Sequence, residues 1–132
     1  MSLMINIDVP DLDAAIRFYT QAFDLSVSRK FDGFAELLGW PAPLYLLAKE
    51  AGTVGAGGDV RRYERHWTPV HLDVLVENVD VAVARAVSAG AVLERPAVSA
   101  PFGRIAGLSD PFGNGLCVLK LSERGYDALL DD

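Results

Sequence analysis

Two stretches of the chain carry the same alternation of apolar and polar positions. From residue 4, Ile5, Ile7 and Val9 share one side of an extended segment, with Met4, Asn6 and Asp8 on the other. From residue 71, Leu72, Val74 and Val76 alternate in the same way with His71, Asp73 and Leu75. Each segment then changes period. Ala15, Phe18, Tyr19, Ala22 and Phe23 recur at three- and four-residue spacing, and so do Ala82, Val83, Ala86, Val87 and Ala89, which predicts one buried stripe on each of two helices. Asp11 or Asp13 can cap the first helix and Asn78 or Asp80 the second, while Gly90 is a natural stop.

These stretches form a repeat. Residues 4–25 lie on residues 71–92 without a gap, Met4 upon His71, so that Ile7 meets Val74, Leu12 meets Val79 and Asp13 meets Asp80. Short strand patterns follow each helix, at 25–31, 33–38 and 44–49 in the first copy and at 91–99, 104–108 and 115–121 in the second. The expected fold class is therefore α+β, with two βαβββ modules pairing because neither closes a core alone. Residues 1–132 read as a single domain: module one at 4–50, a Gly-rich and then charged linker at 51–65, module two at 66–122 and a tail at 123–132. In each first strand the all-apolar side is expected to pack on the helices. The side bearing Asn6, Asp8, His71 and Asp73 faces water or a cavity.

Composition narrows the function. The chain is 51% hydrophobic with a net charge of −6, and it has no apolar run of the about 18 residues that a membrane span needs. An acidic balance argues against nucleic acid as a partner. One cysteine, Cys117, cannot form an internal disulfide, and the start lacks a signal-peptide pattern; both point to the cytoplasm. No G-x-S-x-G elbow, phosphate-binding loop or Cys-x-x-Cys pair is present, and "GTVGAGG" at 52–58 lacks the Lys-Ser/Thr ending of a phosphate loop.

Several residues carry candidate chemistry, each with a plainer structural alternative. His71 is either a hydrogen-bonded wall residue or a ligand-contacting base. Asp73, two residues away, is either solvated or the group that orients His71; Asp8 is solvated or pairs with a cationic ligand group. His66 and His71, five apart on one strand, point to opposite faces and make no metal pair. Trp67 and Trp40 cover apolar surface or stack on a planar ligand. Tyr45 projects from a strand with a hydroxyl that needs a partner. Beside Phe102, Arg104 is a solvated charge or a bidentate anion binder.

Three segments in order, "NIDVPDLDAAIRFYTQAFDL", "VHLDVLVENVDVAVARAVSAGA" and "GRIAGLSDPFGNGLCVL", resemble the vicinal oxygen chelate superfamily of glyoxalases, bleomycin-resistance proteins and extradiol dioxygenases. The resemblance covers most of the chain outside the linker and tail. It implies two βαβββ modules whose curved mixed sheet surrounds a cavity, commonly at or near a homodimer interface. Metal-dependent members place His, Glu or Gln ligands on the first and last strands of each module, and those positions here fall on Met4, Tyr45, His71 and Cys117. Only His71 keeps a ligand of that kind. Cys117 can bind a soft metal as thiolate, Met4 is a poor ligand for borderline divalent ions, and Tyr45 is an uncommon one. The expectation is accordingly metal-independent binding or sequestration of a small organic molecule, with no cofactor, by Asn6, Asp8, Trp40, Tyr45, Trp67, His71, Asp73, Phe102, Arg104 and Cys117. The alternative is a glyoxalase- or dioxygenase-like lyase, isomerase or oxygenase with a divalent metal at His71 and Cys117, or a metal-free enzyme with His71 as base. The expected partners are that small molecule and a second copy of the chain, with no nucleic acid and no membrane.

Overall fold

The computed structural model describes residues 1–130. They group into two compact units, residues 1–64 and the chain from Arg65 onward. The first unit runs β1 (Ile5–Val9), α1 (Leu12–Phe23), β2 (Ser26–Lys30), β3 (Phe34–Leu38), β4 (Leu44–Ala48). The second runs β5 (Leu72–Leu75), α2 (Val79–Ala89), β6 (Val92–Ala100), β7 (Gly103–Ser109), β8 (Gly115–Leu121). Each unit holds a four-stranded mixed sheet, in the orders β1-β4-β3-β2 and β5-β8-β7-β6, with the outer first strand parallel to its neighbour and the rest antiparallel. This is the duplicated βαβββ, α+β architecture that the repeat predicts. No helix among the described residues is long and apolar enough to cross a membrane.

The helices begin where the chain offers an acceptor. Asp11 accepts the Ala14 N–H and Asn78 the Val81 N–H, each at 3.1 Å, so the first of each pair of possible caps is the one used. The other acid of each pair, in the first helical turn, reaches a cation instead. Asp13 pairs with Lys30 at 2.8 Å and Asp80 with Arg104 at 2.9 Å. α1 buries Ala15, Phe18, Tyr19 and Ala22 against Val9, Leu37, Leu44 and Leu46. Removing each such large aliphatic side chain from water contributes roughly 1.5–3 kcal/mol. α2 is the weaker amphipath: Val79 and Ala86 are buried, but Val87, expected on the stripe, is exposed. It sits one position past the line through Val79, Ala82 and Ala86 and so rotates off the buried face.

Residues 51–64, expected as a linker, fold back on the first unit. Val54 bridges Val60, the Gly52 N–H donates to the Arg61 carbonyl and the Arg61 N–H to the Thr53 carbonyl, and the Tyr63 hydroxyl donates to the Lys49 carbonyl at 2.7 Å. Arg61 holds the turn to β1, its Nε 2.9 Å from Asp8 Oδ2. Glycine here therefore shapes a turn rather than a free tether.

The turn into β8 explains its motif. In Asp110-Pro-Phe-Gly-Asn114, Asp110 Oδ1 accepts the backbone N–H groups of Phe112 and Asn114, and Oδ2 accepts the Asn114 amide, all at 2.9 Å. Gly113 supplies the positive φ (98°) that the loop requires.

Candidate functional site

The side of the second sheet turned away from α2 carries a pocket of about 290 Å³. Its wall takes Trp67, Thr68 and His71 from the segment entering β5, Glu94 and Arg95 from β6, Gly107 and Leu108 from β7, and Leu116 and Cys117 from β8, with Arg65 and Gly115 at one end. Strand register puts Asp73 opposite Cys117, and Cys117 opposite Gly107. One row across the sheet therefore reads Asp73, Cys117, Gly107, Arg95, the last pair also in register.

Two arginines occupy space that two glycines leave open. A Cβ on Gly107 would stand 2.8 Å from Arg95 Nε, and one on Gly115 would stand 2.7 Å from Arg65 Nη2. Arg65 forks onto Glu94, Nε to Oε2 at 2.7 Å and Nη2 to Oε1 at 3.0 Å, and its Nη1 donates to the His66 carbonyl. This pairing holds the Glu94 carboxyl below its ordinary range and raises the Arg65 guanidinium. Arg95 has a softer partner, with Nη2 at 3.9 Å from Cys117 Sγ.

His71 Nε2 lies 3.2 Å from Asp73 Oδ1, and one ligand atom each of His71, Asp73 and Cys117 fall within 4.8 Å of one another. With Nε2 engaged by the carboxylate, Nδ1 is the nitrogen left to accept a proton or hold a ligand. Cys117 is buried, and burial, aided by the Asp73 charge, pushes its thiol above the ordinary value. At neutral pH it is a thiol and a poor nucleophile.

The other sequence candidates go elsewhere. Tyr45 finds its partner in Glu36, a buried carboxylate on β3. Arg29 on β2 closes the group, with Nε and Nη2 at 3.0 and 2.9 Å from the two Glu36 oxygens. Bonding from Arg29 first, and from Tyr45 next, lowers the Glu36 carboxyl to about 2. The same carboxylate raises the Tyr45 phenol. Asp8 is tied to Arg61. Trp40 packs on Phe23, ring centres 5.5 Å apart, and Phe102 stacks on Tyr126 at 5.5 Å. Arg104 is held by Asp80 and Ser99, beside a second depression of about 340 Å³ at the start of α2. Asn6 is exposed on β1, in register with Tyr45. Of the expected ligand set, Trp67, His71 and Cys117 share one pocket, with Asp73 against His71. Sequence reasoning missed Arg65, Glu94 and Arg95. The available signal was glycine inside a strand, at Gly107 and Gly115, which marks a close approach of another group.

A family model described as the glyoxalase-like domain matches residues 4–119. The chain belongs to that family. It is 37% identical over 83 residues to the anthracycline biosynthesis protein DauV of Streptomyces sp. (strain C5), a match covering 63% of this chain and 26% of that protein. The matched part is thus about a quarter of that relative's length. Among solved structures, a glyoxylase/bleomycin resistance protein/dioxygenase domain from Frankia sp. EAN1pec is similar at 24% identity and a TM-score of 0.71, covering 92% of this chain and 98% of the other. A lactoylglutathione lyase from Agrobacterium tumefaciens is similar at 21% identity and 0.63, covering 90% and 92%. At such identities these structures share the fold.

The glyoxalase-like family often uses a divalent metal, and the donor set here departs from its pattern. Register supports the equivalence of Tyr45 and Cys117, since Asn6 pairs with Tyr45 as Asp73 pairs with Cys117. Of the four positions, Met4 offers an exposed thioether and Tyr45 a phenol held protonated by Glu36, while Cys117 is a buried thiol. These residues do not make the His/Glu/Gln shell of a hard or borderline divalent ion.

Proposed function

We propose that this glyoxalase-like chain binds a small organic molecule without a metal, in the second-module pocket. The carrying observation is the combination of a 290 Å³ cleft with converging polar groups and an exposed Trp67 at its wall. Its size lies near the lower end of the roughly 300–1,000 Å³ of small-molecule sites. Trp67 offers a face for a flat ligand, and His71 and Thr68 offer polar contacts. The relative named for anthracycline biosynthesis makes fused-ring aromatic compounds the first class to test. A homodimer belongs to the same reading, supported by exposed Val27, Phe31, Phe34 and Leu38 on and beside β2 and β3.

The test is a thermal-shift screen of flat aromatic compounds, neutral, cationic and anionic, followed by calorimetry and by quenching of Trp67 fluorescence. A ligand that raises the melting temperature and loses affinity with Trp67→Ala supports the reading. Failure of every compound class to bind would refute it. The second reading, a metal enzyme, is favoured by the closeness of His71, Asp73 and Cys117. Stoichiometric zinc, nickel, manganese or iron(II), bound at micromolar or tighter affinity and lost in His71→Ala, would establish that reading in place of the first.

A further inference from the structure

We infer that Arg95 is the anion-binding end of this pocket, and that the ligand is a flat aromatic molecule bearing a carboxylate. The inference rests on the binding reading above and adds the chemical class of the ligand.

The duplication sets the two modules side by side residue for residue. The row Asn6, Tyr45, Glu36, Arg29 across the first sheet corresponds, strand by strand and register by register, to Asp73, Cys117, Gly107, Arg95 across the second. Both rows end in an arginine. In the first module that arginine is neutralised by the carboxylate beside it, Glu36, through two hydrogen bonds, and it also reaches the Tyr45 hydroxyl at 3.4 Å. In the second module the equivalent of Glu36 is Gly107, which has no side chain. Among the described residues Arg95 makes no ion pair, and its hydrogen bond is the long one to the Cys117 sulfur.

Arg95 itself fills the room that Gly107 leaves, where a Cβ would fall 2.8 Å from its Nε, and it does so at the wall of the pocket. Arg95 lines it, and so does Gly107. The neighbouring Glu94 directs its two oxygens to Arg65, at 2.7 and 3.0 Å, and feels the Arg95 charge only at longer range. A guanidinium fork with free N–H groups matches a carboxylate in two parallel hydrogen bonds. The ligand's carboxylate would meet the guanidinium from the pocket side, since Arg95 itself occupies the room over Gly107. The ligand's aromatic body would lie toward Trp67. Charge supports the sign: of the charged groups lining the pocket, two are arginines and one is Glu94, in a chain whose net charge is −6.

Calorimetry with three probes tests this: 2-naphthoate, its uncharged isostere 2-naphthamide, and inorganic phosphate. The expected result is that wild-type protein binds naphthoate about tenfold or more tightly than naphthamide, since hydrogen bonds between charged groups are stronger than neutral ones. Arg95→Gln should weaken naphthoate by about the same factor and leave naphthamide unchanged, while Arg62→Gln, an exposed arginine outside the pocket, changes neither. Gly107→Glu, which restores the first-module carboxylate, should also suppress naphthoate. Circular dichroism checks that both pocket variants remain folded, and Arg95→Met replaces either that does not. Equal affinity for naphthoate and naphthamide, or an Arg95→Gln loss common to both, overturns the inference. Phosphate binding as tight as naphthoate overturns the aromatic part. Binding confined to neutral or cationic compounds in the wider screen overturns the anion subsite while leaving the pocket reading intact. Binding by no compound refutes both.

Discussion

Asp110 is the residue on which the geometry of the second-module pocket depends most directly. It is 4% exposed, and its carboxylate accepts three hydrogen bonds within the turn that delivers β8. Asp110→Ala leaves the backbone N–H of Phe112 without its acceptor inside a buried turn, at a cost of about 1–3 kcal/mol, and strands the half-buried Asn114 N–H for about 1 kcal/mol more. The backbone bond from Asp110 N–H to the Asn114 carbonyl, 2.9 Å, survives the change, so the total should be about 2–4 kcal/mol rather than a lost fold. Asp110→Asn keeps an oxygen for the two backbone donors and loses the contact to the Asn114 amide and the attraction to Arg65, so it should cost less than the alanine variant, about 1 kcal/mol. Urea unfolding followed by tryptophan fluorescence in a Trp40→Phe background reports on Trp67, in the unit that contains the turn. A loss under 0.5 kcal/mol for Asp110→Ala, roughly the scatter of ordinary surface changes, would refute the reasoning; so would equal losses for the two variants. The effect should also reach the pocket, because Gly115 and Cys117 leave the turn directly and Arg65 Nη1 lies 3.4 Å from the Gly113 carbonyl.

Other perturbations test other parts of the structure. Gly103 has φ 149°, and a Cβ there would lie 2.1 Å from the Lys120 carbonyl oxygen; Gly103→Ala should therefore destabilise by about 3 kcal/mol or more in a thermal or denaturant melt, through overpacking and backbone strain together. Glu36 titrates near 2 when folded and in the ordinary carboxylate range when unfolded, so its stabilising effect is complete above about pH 4.5 and is lost as pH falls towards 2. Glu36→Gln should flatten the acid limb of the stability profile in that window; an unchanged limb refutes the assignment. Cys117 should react slowly with iodoacetamide at pH 7, and Asp73→Asn should speed the reaction, since removing the nearby negative charge lowers the thiol pKa.

The repeat was legible because burial enforces period. One side of β1 and of β5 must pack inward, so Ile5, Ile7 and Val9 and Leu72, Val74 and Val76 reveal both strands, and the alignment of the copies follows from them. The caps were narrowed to two residues each but not chosen, since capping depends on which backbone N–H groups lie within reach. His71 and Asp73 were legible as one side of a strand, while Trp67 and Cys117 were separate candidates that the structure brings to the same pocket. The fates of Asp8, Arg104, Tyr45 and Phe102 were not, because each meets a partner from a segment the local pattern says nothing about: Arg61 in a glycine-rich turn, Asp80 on a helix, Glu36 on β3, Tyr126 near the end. Long polar side chains find partners across tens of residues, and single-sequence periodicity reports only the face from which they start.

The two modules put opposite chemistry on one architectural row, and the difference reduces to the residue facing the arginine. With Glu36 present, Arg29 and the carboxylate satisfy each other, and Tyr45 donates into the pair, so these three polar groups are engaged with one another. Such a group resists a ligand, because binding would have to break charge-assisted bonds before making any. With Gly107 in that place, the same strand geometry leaves an arginine with donors to spare, next to a thiol that cannot compensate it. Arg95 is exposed, so its spare donors are hydrated until an external carboxylate takes the place of water in a charge-assisted pair. The first module's internal ion pair is therefore a template for the contact that the second module lacks. If ligand binding arose by divergence of a duplicated unit, loss of a single carboxylate suffices to turn a structural salt bridge into a binding site.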